Sequence, residues 1–187
     1  QMVAKGHHFP NVTLTGVISA DAMLGLPDFR AGERTFQLLT QVAGRSGRGD
    51  RPGRVVIQTY YPDHPAVRLA SRHDVSTFLS EELVFRRSFS YPPVARLVLI
   101  RYEAKSERLC RDAAEAAARA IQPIPSNVRL RGPASAPLER IRGLWRWQIL
   151  ISAANRGLLR GLLEKIEDLA IPKNVRRIID VDPTSTL

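Results

Sequence analysis

The sequence predicts an α/β protein in two parts, a βαβ unit with a parallel sheet followed by a ferredoxin-like βαββαβ domain. Three observations lead there. Two apolar, β-branched runs at 12–20 and 54–61 flank a stretch whose apolar residues recur at helical spacing. Tyr91-Pro92-Pro93 then breaks the chain. Beyond the break the apolar period changes in the order strand, helix, strand, strand, helix, strand.

The chain opens on QMVAKGHHFP, an apolar start running into a polar loop and a proline stop. Lys5 beside Gly6 sets a cation next to permissive backbone, a combination suited to a phosphate. His7 and His8 are adjacent, so their side chains point apart, and without a third ligand nearby they do not make a metal site. Val12 to Ala20 is rich in β-branched residues and reads as a buried, parallel-type strand. It ends at Asp21, whose carboxylate is either at the ligand-binding edge of an open sheet or a cap on the next turn.

Pro27 and Asp28 open a helix, with Asp28 as its N-cap and Phe29, Phe36, Leu39 and Val42 along one face. This helix runs into TQVAGRSGRG, residues 40–49, which puts Arg45 and Arg48 on one side near its C-terminal end. Planar guanidiniums suit bidentate contact with phosphate oxygens, and Gly44, Gly47 and Gly49 leave room for a ligand to approach. The same pattern also describes a helix end with glycine stops and solvated arginines. Arg54 to Tyr61 is the second strand of the βαβ unit. Two strands and one helix offer too little apolar surface to stand as an independent domain. His64 to Phe89 reads as a linking helix with Val67, Ala70, Phe78, Leu79, Leu83 and Phe85 on its apolar side. The divisions are therefore 1–66, a linking helix over 67–90, and a second domain over 91–187.

In that second domain Ala95 to Tyr102 alternates as a strand and Ser106 to Ile121 is an alanine-rich helix. Val128 to Leu130 and Trp145 to Ser152 are strands, Asn155 to Leu169 is a helix capped by Asn155, and Val175 to Val181 closes the sheet. Gly132 to Trp147 forms a long hairpin in which Arg140, Arg142 and Arg146 interleave with Trp145 and Trp147. Arginines beside aromatics suit single-stranded or junction DNA, with cations on phosphates and rings on bases. Alternation puts both tryptophans on one face and Arg146 on the other, so the rings belong either to the core or to DNA. Arg156 and Arg160, four apart on the second helix, are either solvated surface residues or a cationic patch for an acidic peptide or phosphate.

Composition narrows the class. In 187 residues, 44% are hydrophobic and 25% charged, which is ordinary for a folded globular protein. The charge is less ordinary, since 28 basic against 18 acidic residues give +10 and favour a polyanionic partner. The lone Cys110 excludes an internal disulfide and a cysteine zinc cage, and reads as a small core hydrophobe in a reduced, cytoplasmic protein. No apolar run reaches the roughly 18 residues that span a bilayer, so no membrane partner is expected. The start at Gln1, without an initiator methionine, suggests a piece of something longer.

With these residues placed, the chain resembles over nearly its whole length the C-terminal part of the bacterial primosomal replication-restart helicases. QMVAKGHHFP is similar to helicase motif V, and DFRAGERTFQLLTQVAGRSGRG to motif VI with its preceding helix. RWQIL and the closing DVDP also match. The resemblance implies a partial RecA-like helicase lobe 2 ahead of the ferredoxin-like domain. The activity implied is an ATP- and Mg²⁺-dependent 3′-to-5′ DNA helicase that recognises stalled forks and assembles the primosome. Gln41, Arg45 and Arg48 then fall on motif VI beside the nucleotide, with the arginines catalytic, and Lys5, Gly6 and His7 fall on motif V between nucleotide and DNA. Implied partners are forked and single-stranded DNA, the acidic tail of single-stranded DNA-binding protein and other primosome proteins. Arg156 is the candidate for the tail, with Arg160 less firmly matched. Walker A and B motifs and the family's zinc-binding cysteines are not in this sequence, so the chain alone is expected neither to hydrolyse ATP nor to bind the family's zinc. The alternative is a non-enzymatic DNA- or protein-binding adaptor that keeps a degenerate helicase remnant.

Overall fold

A computed structural model describes residues 12–44 and 53–187, and the chain divides into two compact units, Gln1–Phe85 and Arg86–Leu187. Lys5, Gly6, His7, Arg45 and Arg48 lie outside the described residues.

In the first unit β1 (Leu14–Val17) and β2 (Arg54–Ile57) pair in parallel, Leu14 opposite Arg54 and Val17 opposite Ile57. Around them run α1 (Asp21–Leu24), α2 (Ala31–Ala43), α3 (Pro65–Ala70) and the first part of α4 (Val75–Phe89). The apolar stripe of α2 buries Phe36 and Leu39 against Ala66, Val67, Leu69 and Ala70 of α3 and Phe78 of α4. Phe36 and Phe78 stack with ring centroids 4.0 Å apart. Val17 and Ile57 pack on this core from the sheet, while Leu14 and Val56 on its other face are 63% and 49% exposed. The first strand is thus shorter and more exposed than its β-branched sequence implies. Among the described residues helices cover one face only, and the alternation of a strand sends every second residue away from them.

Two helix boundaries also differ from the sequence reading. Asp28 does not cap α2, which begins at Ala31 with Arg30 at the N-cap position. Its buried carboxylate instead accepts from the Arg30 amide at 2.8 Å and from Arg34 at 3.3 Å, which fixes the turn ahead of the helix. The linking helix is two helices. His64 caps α3 by accepting from the Ala66 amide at 3.1 Å, and His73 in a left-handed conformation (φ 53°) ends the turn beyond it. Asp74 then accepts from the Thr77 amide at 3.0 Å and starts α4.

The second unit has the expected βαββαβ order, in β3 (Arg96–Ala104), α5 (Glu107–Ala120), β4 (Val128–Ile141), β5 (Leu144–Ala153), α6 (Arg156–Glu167) and β6 (Val175–Val181). Its antiparallel sheet runs β4-β5-β3-β6, the ferredoxin-like arrangement. Val98, Ile100, Tyr102 and Ala104 of β3 and Ile149 and Ile151 of β5 bury one sheet face under both helices. The alanines of α5 let that helix lie close, while Leu159, Leu162 and Ile166 of α6 fill the remaining depth. Ser106 and Asn155 cap the helices, accepting from the amides of Leu109 and Leu158. On the opposite face Leu97 and Leu99 are buried too, and Arg101 donates to the Leu187 carbonyl at 2.7 Å. The short strand read at 128–130 extends to Ile141, because the hairpin segment pairs with β5 through two shifts of register. Arg142 (φ 51°) and Gly143 (φ 82°) form its two-residue turn, in the left-handed geometry that matches strand twist.

Candidate functional site

Three places gather the residues singled out by sequence. The first is the C-terminal edge of the parallel pair. Asp21 follows β1, and its carboxylate accepts from the Thr59 hydroxyl and from the Tyr60 amide at 3.0 Å, tying the ends of β1 and β2 together. The Thr59 hydroxyl bond is the main cause holding its pKa below the ordinary value of 3.8. These contacts make Asp21 a fastener of the sheet edge, and its side chain does not cap the next turn. Gln41 is exposed in the last turn of α2, which stops at Gly44 with its amide on the Thr40 carbonyl at 3.1 Å. Of Gln41, Arg45 and Arg48 only Gln41 lies among the described residues, and among those residues no group of three or more His, Cys, Asp or Glu could hold a metal ion.

The second place is the β4–β5 hairpin. Trp145 and Trp147 pack against the buried core, which assigns them to the inner face. Arg140 is exposed and lies over the Trp145 ring with its guanidinium carbon 5.4 Å from the centroid, and Arg142 is exposed at the turn. Arg146 does not join them. It pairs in register with Glu103, is 5% exposed, and has its guanidinium 3.5 Å from the Glu103 carboxylate and 3.2 Å from the Leu138 carbonyl. Strand alternation sends Arg146 to the face opposite the tryptophans, where a neighbouring acid neutralises it. As a surface DNA contact it is therefore corrected to a buried sheet residue. Of the two placements open to the tryptophans, core or DNA, this packing is the core one.

The third place is a groove of about 350 Å³ beside α6. Leu159, Leu163 and Val181 give it an apolar floor, and Arg96, Arg156 and Arg160 stand along it. Arg156 and Arg160 are 78% and 83% exposed at the side chain. Asp182 stands 3.6 Å from Arg96 and 4.0 Å from Arg156, while Glu164 holds Arg160 at 2.9 Å. The groove thus offers apolar contact beside three exposed cations, with Glu164, Glu167 and Asp182 as acids along the same lining. Sequence reasoning found Arg156 and Arg160 from their helical spacing but missed Arg96, which lies 60 residues away in sequence and reaches the groove through the β3–β6 pairing.

Residues 87–184 match the family model described as primosomal protein N C-terminal domain. The chain is 44% identical over 167 residues to replication restart protein PriA of Bacillus subtilis, covering 89% of this chain and 21% of that protein. It is 40% identical to PriA of Synechocystis over 99% of this chain and 22% of the relative, and 40% identical to PriA of Haemophilus influenzae over 98% and 26%. The chain therefore spans about a fifth to a quarter of the length of these relatives. With a family match over the whole ferredoxin-like unit and similarity that continues through the parallel unit, the chain belongs to the primosomal protein N (PriA) family.

Proposed function

We propose that this chain works as the C-terminal part of an ATP-dependent 3′-to-5′ DNA helicase that recognises stalled replication forks and restarts replication through primosome assembly in the cytoplasm. The observation that carries the reading is the similarity to restart proteins along almost the entire chain, through both the arginine motif and the ferredoxin-like unit. In this reading Arg45 and Arg48 stabilise charge on the terminal phosphates, Gln41 lies beside them, and Lys5, Gly6 and His7 couple nucleotide to DNA. When bound, Mg²⁺-ATP would supply the phosphoanhydride whose cleavage drives unwinding. The isolated chain is expected to show no ATP turnover. Arg140 and Arg142 contact DNA, and the α6 groove with Arg156 and Arg160 takes the acidic tail of single-stranded DNA-binding protein. The +9 balance of residues 86–187, 19 basic against 10 acidic, supports a polyanionic partner there.

The test is Arg48→Ala in the full-length parent. ATP turnover should fall by about 10³-fold or more while affinity for forked DNA is kept. Unchanged turnover removes the catalytic role of Arg48, whereas a full-length parent with no ATP turnover of its own favours a binding adaptor. Arg156→Ala should weaken binding of an acidic tail peptide, and equal affinity moves that partner elsewhere.

A further inference from the structure

One end of the ferredoxin-like sheet collects three loops. Ala104, the last residue of β3, pairs with Trp145 of β5 and with Val175 of β6, and Trp145 pairs with Arg140 of β4. The β3–α5 turn, the α6–β6 turn and the hairpin tip therefore emerge side by side. Residues 105–108, 140–143 and 173–176 hold six cations, Lys105, Arg108, Arg140, Arg142, Lys173 and Arg176, and one acid, Glu107. All six cations are exposed.

These cations differ from the exposed arginines farther along the helices. Arg111 and Arg119 have Glu115 one turn away, and Arg160 has Glu164. None of the six at the sheet end has an ion pair among the described residues, and Arg140 is engaged only with the Trp145 ring. Glu107 lies in the first turn of α5, where the helix dipole already favours its charge. Six like charges brought together across long sequence separations repel one another, and a polyanion relieves that repulsion.

We propose that this loop end is one continuous contact surface for the DNA phosphate backbone, extending beyond the hairpin to Lys105, Arg108, Lys173 and Arg176. It rests on the reading of this unit as a DNA-contacting domain. The surface reads phosphates and not bases, because Trp145 and Trp147 pack against the core and Arg140 covers the Trp145 ring, leaving no tryptophan to stack on a base. Binding is therefore sequence-independent and steeply salt-dependent.

The experiment titrates a labelled duplex of mixed sequence with the full chain at several salt concentrations. The variants are K105Q/R108Q, K173Q/R176Q, R140Q/R142Q and, as a control on the helix surface, R111Q/R119Q. Each of the first three pairs should weaken binding to any duplex and flatten the slope of log K against log salt by about 2, and the control should leave both unchanged. An unchanged slope for either loop pair beside a reduced slope for R140Q/R142Q confines the contact to the hairpin and overturns the extended surface, leaving DNA contact by this domain intact. Unchanged slopes for all three pairs while the chain still binds duplex overturn both the surface and the hairpin assignment. Loop pairs that alter binding of polyglutamate but not of DNA assign the surface to an acidic protein and overturn the proposal.

Discussion

The guanidinium of Arg177 on β6 donates to the carbonyl of Leu169, 3.1 Å away beyond the end of α6, and also to the carbonyls of Glu167 at 2.9 Å and Ile166. No glycine follows this helix to turn its last carbonyls back on themselves, so the next strand supplies their donor. A cation at a helix C-terminus also opposes the dipole there. Arg177→Ala should cost about 1–3 kcal/mol and lower Tm by about 3–10 °C. A thermal melt within a degree of the unmodified chain would show that water replaces the guanidinium without loss.

Gly132 and Gly143 make a paired prediction on β4–β5. Both have positive φ, 88° and 82°, but a Cβ on Gly132 would meet the Gln148 carbonyl oxygen at 2.6 Å whereas nothing lies within 4 Å of one on Gly143. Gly143→Ala should therefore lose only the conformational cost, about 1 kcal/mol, while Gly132→Ala should lose about 2 kcal/mol or more as the bulge shifts. Urea midpoints check the order of the two variants, and equal midpoints would refute it.

Cys110 is fully buried, donates its thiol to the Tyr102 carbonyl at 2.8 Å, and is pushed by burial up to about 11 from its ordinary 9.0. In the folded chain the thiol stays protonated where the unfolded chain has ionised, so this group's stability contribution is complete below about pH 9 and is lost between about 9 and 11. Cys110→Ala should flatten the loss of stability over that interval. Ellman's reagent at pH 8 should react with the native chain only at the rate of its opening, and immediate reaction would contradict the burial.

Arg131 holds the segment that enters the sheet. It donates to the Phe89 carbonyl at the end of α4, lies 4.8 Å from the Tyr91 ring centroid, and approaches the Ser152 hydroxyl at 3.5 Å. Arg129 adds a bond to the Ser88 carbonyl at 3.0 Å. Arg131→Ala should speed hydrogen exchange of amides in residues 86–95 by about 3- to 30-fold, equivalent to about 0.6–2 kcal/mol, without altering exchange in α5. An unaltered exchange pattern would leave Arg129 as sufficient anchor.

Much of the second unit was legible because its signals are local. Ser106 and Asn155 announce their helices by side-chain chemistry, and β3 announces itself by its apolar run Leu97 to Ile100 and β6 by its β-branched residues. The hairpin was legible as a hairpin but not as a long β4, because Gly132-Pro133 reads as a break and only the facing β5 shows that pairing resumes beyond it. The split between α3 and α4 was hidden for the opposite reason. Ser71 to Asp74 contains neither glycine nor proline, and the turn depends on His73 adopting a left-handed conformation.

By itself the sequence determined the α/β class, the strand and helix order of the ferredoxin-like unit, its excess of positive charge and its arginine motif. These depend on side-chain period, capping chemistry and composition, all of which act within a few residues. Only the tertiary structure decided that Trp145 and Trp147 belong to the core, that Arg146 is neutralised by Glu103, that Arg96 joins the α6 groove, and that six cations in and beside three loops share one end of the sheet. Each of those outcomes depends on which strand lies opposite and in what register, and residues 30 to 90 apart become neighbours only once the sheet has closed.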